Sequence, residues 1–310
     1  MDEGRSIESF NKRIRKEANM FKLSTIKSIV KIGIIASMVL FLLIPLLSYA
    51  AEVDLADLVR GSTLTKIRER GVLRVGCDAT YPPFDMVGKD GNVFGMDVDI
   101  GKMMSEIIGV KHEVVNTAWE GIIPALQTGK FDIIINGMTP TAKRGLVVAF
   151  SQPYFTHGQT LGVSMKREPK IKAWKDLDKK GKIIAVMLGT SGDFLATRLY
   201  KSAEIRRFQT APEMVMEVVA GRADAWQWDT PQTAFHVGRN KDKVYLVDIP
   251  TTEYFEHSAF GIRQGDPVFL TWLNLFIMEM KDSGKYNELY KKWFTNTDWW
   301  LKLLPPEKPK

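Results

Sequence analysis

Residues 71–100 read GVLRVGCDATYPPFDMVGKDGNVFGMDVDI. Gly71 stops a helix expected over 54–70, where Leu55, Leu58, Leu64 and Ile67 are spaced for one apolar face. Leu73-Arg74-Val75-Gly76 reads as a short strand. Tyr81-Pro82-Pro83-Phe84 is a rigid loop, because proline cannot extend a central strand. Asp90-Gly91-Asn92 signals a turn. A helix then runs from Asp97 through Met104 to Ile108 and stops at Gly109. Further out, a strand is expected near His112–Val115 and a helix over about Trp119–Thr128, stopped by Gly129. Phe131–Ile135 is a continuous apolar run, as a strand buried on both faces requires. Strands alternating with helices mean βαβ units, a parallel sheet and an α/β class.

The alternation resumes downstream. Strands are expected at Lys182–Val186, Ala223–Trp228 and Ser258–Arg263, and helices at Asp193–Tyr200 and Glu213–Ala220. A long helix over Pro267–Ser283 and a shorter one over Lys285–Phe294 close the pattern. Phe269, Trp272, Leu273, Phe276 and Met280 form an apolar stripe and are core candidates.

Composition narrows the function. A chain of 310 residues suffices for two domains or one large one. The net charge of +7 is concentrated at the start: residues 1–50 hold eight basic and four acidic residues, and the remainder holds 35 basic and 32 acidic. So balanced a remainder carries no footprint for nucleic acid. Cys77 is the only cysteine, so no internal disulfide forms. His112, His157, His236 and His257 show no metal-ligand spacing, and neither a metal nor a cofactor is expected.

Residues 32–47, IGIIASMVLFLLIPLL, are an uncharged apolar run of sixteen. Lys22, Lys27 and Lys31 precede it. Ser48-Tyr49-Ala50 places small residues at −3 and −1 of a cut after Ala50. This is the layout of a cleaved secretory signal peptide. The alternative, an uncleaved anchor, fits less well, since the run falls short of about 20 residues and contains Pro45. Met20 is the expected start, because MFKLSTIK supplies a normal basic region. No cysteine for lipid attachment lies just after the run, which favours the periplasm.

The run quoted first resembles the opening of the family 3 extracellular solute-binding proteins, the amino-acid receptors of ABC importers. The resemblance continues through WEGIIPALQTGKFDIIINGMTPTAKR, FSQPY, IAVMLGTSGDF, GRADAWQWDTPQTA, FGIRQGD and SGKYNELYKKWF, across residues 71–294. It implies a two-lobed periplasmic-binding-protein-like fold of type II, with the cleft between lobes joined by two crossing strands. Residues 51–70 would form an N-terminal helix. Residues 71–156 and 258–300 would form lobe 1, 157–257 lobe 2, and 301–310 a tail.

A free amino acid presents a carboxylate and an ammonium, which call for a planar cationic fork and an acceptor. The resemblance places Arg144 as the fork, in a helix starting near Thr139-Pro140-Thr141. Thr139 and the Gly137 backbone would help, since N–H groups at a helix start favour anions. Asp229, at the carboxyl end of a strand, would accept from the ammonium, and Asp78 would also reach the ligand. Tyr81 and Trp119 would wall the pocket. Gly189-Thr190-Ser191-Gly192-Asp193, with Thr190 and Ser191, would be the other lobe's grip on the carboxylate. It is neither a P-loop nor a nucleophile elbow.

Each residue has a plainer reading. Arg144 alone would be a solvated charge, Asp229 a cap for Thr230-Pro231, and the aromatics, with Phe84 and Trp228, core. Asp193 and Glu120 read as surface caps. Two positions depart from the family pattern: Pro140 removes an N–H, and Lys143 stands where an acid is common.

The expected function is a monomeric receptor that closes on an amino-acid-like solute and delivers it to a membrane permease, with no role for nucleic acid. The alternative is a cyclohexadienyl dehydratase on the same fold, with Asp78, Asp229 or Glu253 as general acid. A sensory or cell-wall enzyme carrying this module is the third class.

Overall fold

The computed structural model describes residues 15–16, 20, 22–23, 25, 27–34, 37–38, 55–168, 170–250 and 254–295. The chain divides into two compact units, Met1–Leu55 and Ala56–Lys310. In the first, residues 27–34 are helical and exposed. Among the described residues no helix is long and apolar enough to cross a membrane. The expected cut after Ala50, most of the apolar run, Glu253 and the tail 301–310 lie outside the described residues.

Among its described residues the second unit carries twelve strands. They are β1 (Val72–Cys77), β2 (Thr80–Tyr81), β3 (Asp85–Val87), β4 (Val93–Phe94), β5 (Lys111–Asn116) and β6 (Ile133–Ile134), then β7 (Ala149–Ser164), β8 (Ile183–Met187), β9 (Glu204–Phe208), β10 (Ala225–Asp229), β11 (Val244–Asp248) and β12 (Phe255–Ile262). Its helices are α1 (Leu55–Gly61), α2 (Thr63–Arg70), α3 (Met96–Ile108), α4 (Trp119–Gln127), α5 (Ala142–Gly145), α6 (Ser191–Leu199), α7 (Ala211–Val219), α8 (Thr230–Arg239), α9 (Pro267–Asp282) and α10 (Lys285–Tyr290).

The main strands run in the order β5-β1-β6-β12-β7-β10-β8-β9, with β11 also on β7. β1 pairs in parallel with β5 and β6, and β8 in parallel with β9 and β10. These are the two βαβ sheets the alternation predicts. The joint between them is β7. Its first part pairs with β12, from Ala149↔Ile262 to Gly158↔Phe255. Its last part pairs with β10, from Gln159↔Asp229 to Val163↔Ala225. One strand thus passes from the first sheet into the second, and β12 carries the chain back.

Each sheet is covered on both faces. Ile100, Met104, Phe260, Phe269 and Phe276 pack on one side of the first, and Ile122, Leu126, Phe131 and Ile134 on the other. Leu161, Ile184, Val186 and Leu195 cover one side of the second, and Met214, Val218 and Trp226 the other. Burial of this kind stabilises by about 25 cal/mol per Å² of apolar surface.

The helix expected over 54–70 is two helices. It breaks at Ser62, whose Oγ accepts from Leu64 N–H at 3.2 Å and caps α2. Asp266 locks that break, accepting from Ser62 Oγ at 2.9 Å and from Thr63 N–H at 2.6 Å. Ile67 is fully buried but Leu55 is 77% exposed, so the single apolar face holds only for α2.

Candidate functional site

A cavity with about 390 Å³ of empty space, counting its mouth, lies between the two lobes. Asp78, Tyr81, Trp119, Gly137, Thr139, Arg144, Thr190, Ser191 and Asp229 all line it, with Thr80, Asn136, Met187 and Trp228. The residues come from the ends of β1, β6, β8 and β10, where open parallel sheets offer their carboxyl-end crevices.

Arg144 sits in the single turn α5, where Thr141 Oγ1 accepts its N–H at 3.1 Å. Arg144 is 8% exposed. Nη1 donates to Thr139 O at 2.6 Å and Nη2 to Gly189 O at 3.1 Å, so the fork ties one lobe to the other. It also lies over the Trp119 ring, 5.1 Å from the centroid. Burial works against its charge, and Glu256 and Asp229 work in its favour.

Asp229 ends β10. It stands at the cap position of α8 but makes no capping bond. Its carboxylate instead accepts from Tyr81 OH and from Gln159 Nε2. Burial, reinforced by Glu256, pushes Asp229 up to about 6, against the opposing pull of His157, Tyr81 and Gln159.

Asp78 is buried and fully engaged. Oδ1 accepts from Thr80 N–H at 3.1 Å and Oγ1 at 2.7 Å, and Oδ2 from Trp119 N–H at 2.9 Å. It therefore fixes the β1 loop against the start of α4 as well as facing the cavity. Tyr81 stacks on Phe84, which is fully buried and belongs to the core. Trp228 lines the cavity beside Tyr81, with ring centroids 5.9 Å apart.

Three expectations need correction. The Gly137 N–H does not serve an anion in the cavity: it donates to Asp97 Oδ2 and to Tyr154 OH, both at 3.0 Å. Thr139 offers its hydroxyl to Glu256 Oε2 at 2.6 Å. Asp193 is not a surface cap. It is buried, accepting from Gly189 N–H at 3.1 Å and Arg207 Nε at 2.9 Å, and so holds the glycine loop in place. Thr190 Oγ1 caps α6, accepting from Asp193 N–H at 3.3 Å.

Gln159, Glu256 and His157 were not foreseen. Gln159 Nε2 bridges Asp229 and Glu256, reaching Glu256 Oε1 at 3.1 Å. His157 and Gln159 lie two apart on β7, and Glu256 pairs with His157 across the ladder. Polar residues two apart on a strand share one face, and that spacing is the signal that points to them. Ligand atoms of His157, Asp229 and Glu256 lie within 4.8 Å of one another. The carboxylates, however, already accept from Tyr81, Gln159 and Thr139, an arrangement suited to N–H and O–H donors.

Gly137 has φ 55°, and a Cβ there would lie 2.3 Å from the Tyr81 ring. Gly137→Ala is expected to displace Tyr81 from Asp229 and lower the melting temperature, with a strain cost of about 1–3 kcal/mol. Thermal melts and ligand calorimetry on that variant check this.

Two α/β lobes joined by crossing strands, with a cavity lined by charged and aromatic side chains between them, define a solute-binding protein rather than a nucleotide-binding fold. Residues 73–296 match the model for bacterial extracellular solute-binding proteins, family 3, and the chain belongs to that family. It is 32% identical over 229 residues to a probable histidine-binding protein of Neisseria gonorrhoeae, covering 72% of this chain and 83% of that one. It is 31% identical over 233 residues to an L-cystine-binding protein of Escherichia coli, covering 74% and 85%. Among solved structures, an ancestral amino acid-binding protein described as a precursor of cyclohexadienyl dehydratase shares 45% identity at TM-score 0.70, covering 75% of this chain and 100% of that one. A putative ABC-transporter binding component from Wolinella succinogenes, complexed with lysine, shares 40% at TM-score 0.70, covering 74% and 98%.

Proposed function

We propose that this chain captures an amino acid with a cationic side chain in the periplasm and delivers it to the permease of an ABC importer. The charge balance of the cleft carries the side-chain class. Among the described residues lining the cavity, Arg144 is the one arginine or lysine; Asp78 and Asp229 face it. Glu256 stands one hydrogen bond behind, through Thr139 and Gln159. Carboxylates therefore outnumber cations, even with His157 protonated. A zwitterion adds no net charge and leaves that excess uncompensated. A ligand bringing a second cation offsets it, and in an enclosed site that difference is large.

In this reading Arg144 clamps the carboxylate and Asp229 takes the ammonium. Thr190 and Ser191 line the carboxylate end, and Thr139 holds Glu256 beside it. Tyr81 and Trp119 wall the side chain, Asp78 attracts its charge, and Gly137 leaves room for Tyr81. Lobe 1 (71–156 and 258–300) closes on lobe 2 (157–257) by a hinge in the crossing strands. The chain is exported by the signal segment within residues 1–50, read from Met20 and cut after Ala50, and works as a monomer. It acts by binding rather than turnover, as its similarity to amino-acid-binding proteins suggests; phenylpyruvate formation from prephenate would overturn that.

The test is a thermal-shift screen of the common amino acids. Arginine or lysine is expected to raise the melting temperature by several degrees, since a ligand at a thousandfold its Kd stabilises by about 4 kcal/mol. A larger shift with leucine or glutamate would overturn the cationic assignment.

A further inference from the structure

We infer that Asp85 and Asp97 form a buried acid pair sharing one proton, and that this pair positions the Asn136-Gly137 wall of the cleft. The inference rests on the ligand-binding reading above for its functional consequence, though not for the proton itself.

The two carboxyls come from separate elements, β3 and the first turn of α3, and are 1% and 0% exposed. Among the described residues no ion pair reaches either of them. The groups facing them are the Cys77 thiol from β1, the Asp78 carboxylate beyond it, the Asn136 amide after β6 and the Tyr154 phenol from β7. None is a cation. Two bare charges buried there would repel each other. One proton held between them removes the repulsion and forms a charge-assisted O–H···O⁻ bond.

The hydrogen bonds say where that proton sits. Asp97 accepts from Tyr154 OH at 2.9 Å and from Gly137 N–H at 3.0 Å, as an anion should. The Asp85 carboxyl bonds to it, while Asp85 Oδ2 accepts from Asn136 Nδ2 at 2.8 Å. Burial and the neighbouring Asp97 charge hold Asp85 well above the usual carboxylate range, which favours Asp85 as the holder of the shared proton. Asn136 and Gly137, the two residues this pair holds, are consecutive in the cavity wall. The pair also explains why the Gly137 N–H turns away from the cleft. These are positioning residues, since neither carboxyl lines the cavity.

The experiment has two arms on the full purified chain. Infrared spectroscopy at pH 8 is expected to show the C=O stretch of a protonated carboxyl, lost in Asp85→Asn; its absence from the unmodified protein would overturn the pair. In the second arm, calorimetry uses arginine, or whichever amino acid gives the largest thermal shift. Asp85→Asn keeps a neutral donor and acceptor and should bind within a few-fold of the unmodified chain. Asp97→Asn puts an N–H donor against donors and should bind roughly ten- to a hundredfold more weakly. Normal affinity in Asp97→Asn would overturn the positioning role. Should Asp97→Asn not fold, Asp85→Asn decides alone: a lost band with near-normal affinity supports the pair, and a retained band or binding weakened more than about tenfold overturns it. If the unmodified chain binds no amino acid, the ligand reading fails while the infrared arm still decides the proton.

Discussion

Arg144→Ala is expected to show no measurable ligand binding by calorimetry, with the fold intact by thermal melt. The guanidinium is buried over Trp119 and reaches the carbonyls of Thr139 and Gly189 from opposite lobes. Its loss has two consequences that act in the same direction. A bound carboxylate would be left buried without a partner, which costs about 3–5 kcal/mol. Glu256 and Asp229, which favour the Arg144 charge, would lose that cation. At 1.4 kcal/mol per tenfold, the first effect alone weakens binding by about two to three and a half orders of magnitude. Arg144→Lys separates charge from geometry: an ammonium keeps the charge but cannot hold two oxygens in plane, so an intermediate loss is expected. Near-normal affinity in the alanine variant would remove Arg144 from the site.

The sequence-based reading succeeded where local signals agree with tertiary structure. Gly71 and Gly109 cap α2 and α3 in left-handed conformation, as glycine's missing Cβ allows. The alternation of strands and helices gave both sheets. The element that joins the lobes was not legible. β7 carries Pro153 and Gly158, which argue against a strand when read locally. Pro153 is tolerated because it pairs with Ala259 where the β12 register shifts. That shift belongs to the pairing of two segments about a hundred residues apart, so no local window contains it.

The same distance limited the site. Arg144, Asp229 and the walls lie in short motifs and were found there. Glu256 and Gln159 become site residues only because β12 and β7 bring them behind Asp229. The plainer reading of Asp229 as a cap fails for a related reason. Tyr81 and Gln159, both remote in sequence, offer its carboxylate better donors than the start of α8 does.

Ligand affinity is expected to fall about tenfold between pH 7 and pH 5, and Asp229→Asn should abolish that dependence while binding far more weakly at pH 7. Asp229 must be ionised to hold an ammonium, and burial raises it from 3.8 to about 6. At pH 7 the free protein is therefore mostly ready to bind; at pH 5 most molecules must first lose a proton. Each unit below about 6 costs about tenfold in apparent affinity. Stability moves the other way. The folded state holds this proton more tightly than the unfolded chain, so the group destabilises the fold above about 6 and the penalty is relieved as pH falls towards 4. Its contribution to ligand-free melts thus improves between pH 7 and 5, while the increment from added ligand shrinks. Bound ammonium offsets the penalty directly, which is why an acid held this unfavourably suits a receptor. His157, Glu256, Tyr81 and Gln159 all face Asp229. His157→Gln should keep the pH dependence if Asp229 is its source. A flat profile in that variant, or an Asp229→Asn profile like that of the unmodified chain, would assign the titration elsewhere.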